Sequence, residues 1–190
     1  MDYQPQPGDL YLTRFGGPMG AVITLLQAVV AGDPSRYSHA GVVLADGWTL
    51  SAQWPRPKLV RLDDLTARRP LAFVEAPAWA DRDAIVAAAL SLGDRRYSLA
   101  SYLWIGLSRL GVRPAWLRRA VASDRTLICS ALADRAWALA GVHAFNDGRL
   151  LGEVTPGDLA HVGTIHHYGT GPYGEACCVG DERPERSAPR

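Results

Sequence analysis

Two hydrophobic periods divide this chain. Leu10-Tyr11-Leu12, introduced by Gly8-Asp9 and broken by Phe15-Gly16-Gly17-Pro18, predicts a short opening strand. Residues 19–31 are apolar on nearly every face and stop at Gly32-Asp33-Pro34, so they predict a buried helix. From Ser38 the pattern is that of strands: 40–44, an Asp46-Gly47 turn signal, 48–53, a break at Pro55 and Pro57, 59–62, and then 71–75. Together these predict a small, mostly antiparallel meander.

After Pro77 the period lengthens. Residues 81–92 have an acidic first turn and stop at Gly93, 98–110 stop at Gly111, and 114–122 read as a shorter helix. Leu127, Ile128, Ala131, Leu132, Ala136, Trp137 and Leu139 form one apolar stripe, predicting a fourth helix from about Leu127 to Gly141. Thr155-Pro156-Gly157-Asp158 has a capping residue, a proline at the first helical position and an acid two residues on, so it predicts one turn of helix. Residues 162–168 fit a last strand. The Gly, Pro, Glu, Arg and Ser of 169–190 describe a flexible tail.

Length and composition then bound the class. A chain of 190 residues, 48% hydrophobic, is long enough for one substantial core and too short for two, so 1–168 is expected to be a single domain. Twenty basic against nineteen acidic residues leave a net charge of +1, with no general attraction to nucleic acid or anionic lipid. Three cysteines, two of them adjacent as Cys177-Cys178, make no disulfide framework and suit a reducing compartment. The first residues lack the basic start of a signal peptide, and the 21–30 run is far shorter than the roughly 20 residues of a spanning helix. A cytoplasmic site of synthesis without stable membrane insertion is the expectation, any export using another route. Oligomeric state is not readable.

The remaining cysteine carries the candidate chemistry. Cys129 stands at the expected start of the fourth helix, where unpaired N–H groups and the positive end of the helix dipole stabilise a thiolate and the oxyanion it generates. Position alone fits a small buried core residue equally well. His39 opens the strand His39-Ala40-Gly41-Val42-Val43, from which an imidazole can reach a helix terminus and act as general base.

Pro7-Gly8-Asp9-Leu10-Tyr11-Leu12, Tyr37-Ser38-His39-Ala40-Gly41-Val42-Val43-Leu44, Arg96-Tyr97-Ser98, Ile128-Cys129-Ser130-Ala131-Leu132 and Thr155-Pro156-Gly157-Asp158-Leu159 occur in that order. This series resembles the circularly permuted branch of the NlpC/P60 superfamily, the YiiX/YebB-like permuted papain-fold amidases, over roughly residues 7–165. The resemblance implies an α+β fold of circularly permuted papain-like (NlpC/P60-type) order, with a small antiparallel barrel-like sheet packed on a helical half. It implies a cysteine amidase or peptidase with Cys129 as nucleophile and His39 as base, without metal or other cofactor. A peptide or lipid-linked amide is the expected substrate, cell-wall peptides among them. The family's third polar residue, which orients the imidazole, falls at Ser51, where a Glu or His would be usual; Gln53, on the same strand face, is the other candidate. Tyr97, Ser38 and Ser130 are expected at the substrate. Two other readings stay open: a lipid acyltransferase or thioesterase of the same fold, and a binding module that has lost the third group.

Other clusters are read as structural. His161, His166, His167 and Cys177-Cys178 match no zinc spacing. Arg68-Arg69 and Arg118-Arg119 with Arg125 are most simply solvated charges, and the six tryptophans, spread along the chain, are assigned to packing.

Overall fold

A computed structural model describes residues 3–14, 35, 37–53, 55–97, 107, 111–112, 114–116, 119, 126–148 and 153–168. The helices expected over 19–31, 98–110 and 114–122 lie wholly or mostly outside the described residues, as do the 169–190 tail, Cys177, Cys178, Arg118, Arg125, Trp54 and Trp104.

The protein is α+β, a six-stranded antiparallel open sheet packed with a few helices. Its strands are β1 (Leu10–Thr13), β2 (His39–Val43), β3 (Trp48–Ser51), β4 (Lys58–Arg61), β5 (Leu71–Val74) and β8 (Ile165–Tyr168), in the order β4-β3-β2-β1-β5-β8. A separate two-stranded parallel pair joins β6 (Arg96–Tyr97) to β7 (Thr126–Leu127). The helices are α1 (Leu62–Thr66), α2 (Arg82–Ser91), α3 (Cys129–Leu139) and α4 (Pro156–Leu159).

The opening strand sits in the middle of the sheet, paired with β2 through Tyr11↔Gly41 and Thr13↔His39 and with β5 through Tyr11↔Phe73. All four of its residues are buried, as expected for a strand covered on both faces. Alternation then sorts the side chains. Leu10, Leu12, Ala40, Val42, Leu50, Ala72 and Val74 join Ile85 and Ala89 of α2 and Ala131, Leu132 and Ala136 of α3 in the main core. Tyr11, Val43, Leu71 and Phe73 make a smaller cluster on the other face, covered by Tyr3, Leu62 and Leu65. Each fully buried leucine or valine contributes roughly 1.5–3 kcal/mol.

Among the described residues most expected elements are present, with some differences, among them Leu127, which ends the short strand β7 instead of starting the helix that begins at Cys129. The sheet is open rather than barrel-like: β4 and β8 are its two outer strands and do not pair with each other. The 59–62 run ends as a strand at Arg61, and Leu62 instead starts α1, whose first turn carries Asp63 and Asp64 against the positive end of the helix dipole. Finally, of the tryptophans assigned to packing, only Trp137 is core among the described residues; Trp48, Trp79 and Trp116 are exposed.

Caps and turns follow the local chemistry. Asp46 and Gly47 both take positive φ in the turn between β2 and β3, a conformation for which Asp and Gly are favoured. The Asp81 side chain caps α2 by accepting from the Ala84 N–H. Thr155 and Asp158 form a reciprocal capping box at α4 with Pro156 at the first position.

A buried carboxylate ties these parts together. Asp9, fully buried, accepts from the Tyr3 hydroxyl at 2.6 Å, the Gln6 N–H at 2.7 Å, the Ala76 N–H at 3.0 Å and Arg82 Nη1 at 2.8 Å. One residue thus fastens the N-terminal segment, the end of β5 and the start of α2. Next to it Gly8, at φ +90°, offers its carbonyl to Trp137 Nε1 at 2.8 Å and so links β1 to α3.

Candidate functional site

Cys129 is the first residue of α3, an eleven-residue helix, and is not in a disulfide. The strand–turn–helix run that delivers it is short: β7 pairs with β6 through Tyr97↔Leu127, and Ile128 precedes the helix. Ile128 has no side-chain oxygen with which to cap the helix, and no acidic residue occupies the first turn. The positive end of the helix dipole at the thiol is therefore not offset by a local carboxylate. Cys129 as a residue is 1% exposed.

His39 is the first residue of β2 and is 5% exposed. Burial holds its pKa down at about 3, with the positive charge of Arg69 acting in the same direction, so the imidazole is neutral at pH 7 and able to accept a proton. Arg69 is half-buried and donates to the Arg14 carbonyl at 3.3 Å, so it is not the fully solvated charge its sequence neighbourhood suggests.

The helix bearing Cys129 packs against β2 and β3, the strands of His39 and Ser51. Cys129 belongs to the main core cluster together with Ala40 and Val42. The alternation of β2 puts the His39 side chain with Thr13, Gly41 and Tyr11. His39 therefore lies on the Tyr11 side of the sheet, whereas Cys129 clusters with Ala40 and Val42, which face the other way. The Tyr11 ring lies 6.1 Å from that of His39, tilted by 59°. Burial lifts the Tyr11 pKa to about 12, while hydrogen bonding from the Ser51 and Thr49 hydroxyls and the charge of Arg69 work the other way.

Gly41 is what makes room for this ring. A Cβ there would come within 2.4 Å of Tyr11 Cε1 and 2.6 Å of the Leu50 carbonyl oxygen, too close for any side chain.

The other expected site residues divide. Ser51 is buried beside Tyr11, and Gln53 Nε2 donates to its Oγ at 3.3 Å, so the two candidates for the third group touch each other. Ser130 is buried and its hydroxyl donates to the Val154 carbonyl at 2.6 Å, fastening α3 to the segment before α4. Ser38 is buried and its N–H donates to the Thr13 carbonyl at 3.1 Å, extending the β1–β2 ladder. Tyr97 is half-buried against the main core, two pairing positions before Cys129. Of the histidine group, His166 pairs with Glu75 at 3.2 Å and stacks on Tyr3, while His167 meets the Tyr37 hydroxyl at 3.3 Å. Among the described residues no three His, Cys, Asp or Glu side chains gather as a metal site, and no helix is long and apolar enough to cross a membrane.

Tyr11, Thr49 and Arg69 were not legible as site residues. Their relation to His39 depends on strand register and on the empty space at Gly41, and a single sequence carries neither directly. No family model, curated protein or solved structure matches the chain.

Proposed function

We propose that the protein is a cysteine hydrolase of permuted papain-like, NlpC/P60-type organisation that cleaves amide bonds, with Cys129 as nucleophile and His39 as base. The reading is supported above all by one arrangement: a reduced thiol at the first position of an uncapped helix, packed on the strand that a neutral, buried imidazole opens. The order of motifs along the chain supports the permuted form.

In this reaction Cys129 Sγ attacks the carbonyl carbon as its proton passes to His39. The tetrahedral oxyanion forms beside the first N–H groups of α3. The C–N bond then breaks, His39 returns the proton to the departing amine, and water hydrolyses the thioester. A neutral imidazole before substrate arrives means that thiolate and imidazolium form together in the attack rather than standing as a ready-made ion pair.

Acylation with a p-nitrophenyl ester, followed by site-resolved mass spectrometry, tests this. The acyl group is expected on Cys129, with none there in Cys129→Ala and formation at least about 100-fold slower in His39→Ala. Acylation confined to Cys177 or Cys178, or indifferent to His39, would overturn the assignment. Peptide amides and phospholipids offered to the acylated enzyme separate hydrolysis from acyl transfer.

A further inference from the structure

We propose that Tyr11 is the positioning residue of the His39 imidazole, taking the part for which Ser51 and Gln53 are the candidates in the sequence. The inference rests on the dyad reading above and adds to it the group that holds the ring.

Two hydroxyls of β3, those of Thr49 and Ser51, bear on the Tyr11 phenol. Thr49 has one hydroxyl proton, and it goes to the Val60 carbonyl at 2.9 Å. Ser51 Oγ receives the Gln53 N–H at 3.3 Å.

Two consequences follow. Ser51 and Gln53 are engaged with each other, and Ser51 bears on the Tyr11 phenol rather than on a charge at the imidazole. Tyr11, fully buried and with its ring filling the place left by Gly41, sets that ring 6.1 Å from the imidazole, tilted by 59°. An uncharged aromatic contact also suits an imidazole that must be neutral to accept the thiol proton, where a carboxylate would favour the imidazolium.

The test uses the full chain with Tyr11→Leu, Tyr11→Phe and, as a core control from the same cluster, Phe73→Leu. Ester turnover gives kcat and KM. The His39 ring proton, identified by its loss in His39→Gln, gives that residue's titration by NMR. Tyr11→Leu is expected to lower kcat at least about 10-fold with KM within about twofold, and to move the His39 midpoint up toward the ordinary value near 6.5 as water reaches the ring. Tyr11→Phe, which keeps the ring, is expected to recover most of that loss, at about a threefold deficit. Phe73→Leu should leave both readouts in place. The proposal is overturned if Tyr11→Leu leaves kcat and the titration at their starting values, or if Phe73→Leu matches it. Should Tyr11→Leu not fold, an unchanged kcat and titration in Tyr11→Phe overturns it instead. Turnover that survives in Cys129→Ala would sink the hydrolase reading separately, and the His39 titration would still decide the role of Tyr11.

Discussion

His39 has a thermodynamic signature independent of any activity. Its pKa is about 3 in the folded protein against about 6.5 in an unfolded chain, the difference coming first from burial and then from Arg69. Above pH 6.5 the ring is neutral in both states and titration costs nothing. As pH falls below 6.5 the unfolded chain takes up a proton that the folded protein refuses, so stability is lost down to about pH 3, at up to about 1.4 kcal/mol per pH unit. In His39→Gln that part of the acid sensitivity should vanish, and urea midpoints compared at pH 7 and pH 5 check it. An equal acid loss in both proteins would mean that the imidazole is solvated. Cys129 and His39 were legible because a helix start and a strand start are written in local pattern. Tyr11 was not: in Leu10-Tyr11-Leu12 it reads as one more apolar position, and only the pairing Tyr11↔Gly41 gives it a neighbourhood.

Among the elements, α4 is the one whose existence depends most on local bonds. Four residues cannot hold a helix by propensity, and here the Thr155 hydroxyl accepts from the Asp158 N–H at 3.1 Å while the Asp158 carboxylate accepts from the Thr155 N–H at 2.8 Å. Thr155→Ala should cost about 1 kcal/mol, read as a lower urea midpoint at unchanged slope, whereas Thr155→Ser should cost much less. A Thr155→Ala protein as stable as its parent would show the box to be incidental. This turn was readable because capping chemistry is local. So were the strands flanking Asp46-Gly47. The β6–β7 pair was not, since two residues give no period and the partners are distant in the chain. Nor was the openness of the sheet, because alternation along each strand says which face is buried and nothing about whether the outer strands meet.

For the molecule as a whole, Asp9 is the fastening point. Its carboxylate is inaccessible to solvent and gathers four donors from three separate parts of the chain. Removing it would leave Arg82 and two backbone N–H groups facing an apolar gap. Asp9→Ala should therefore cost about 3–5 kcal/mol, enough to unfold a protein of ordinary stability. Asp9→Asn, which keeps the shape and loses the charge, should retain part of that. Chemical denaturation of the two variants checks the order, and an Asp9→Ala loss under 1 kcal/mol would reduce the cluster to a surface ion pair.

Five of the six sheet strands come from residues 10–74, and the helices that cover their main face come afterwards. On a ribosome, the imidazole's scaffold is thus synthesised well before the sulfur emerges. During that interval Leu10, Leu12, Ala40, Val42 and Leu50 have no α2 or α3 to shelter them. A nascent chain paused there carries an oily slab and no nucleophile, so it is at once inert and prone to clump. Slow translation beyond residue 74 is where this fold is most exposed to failure.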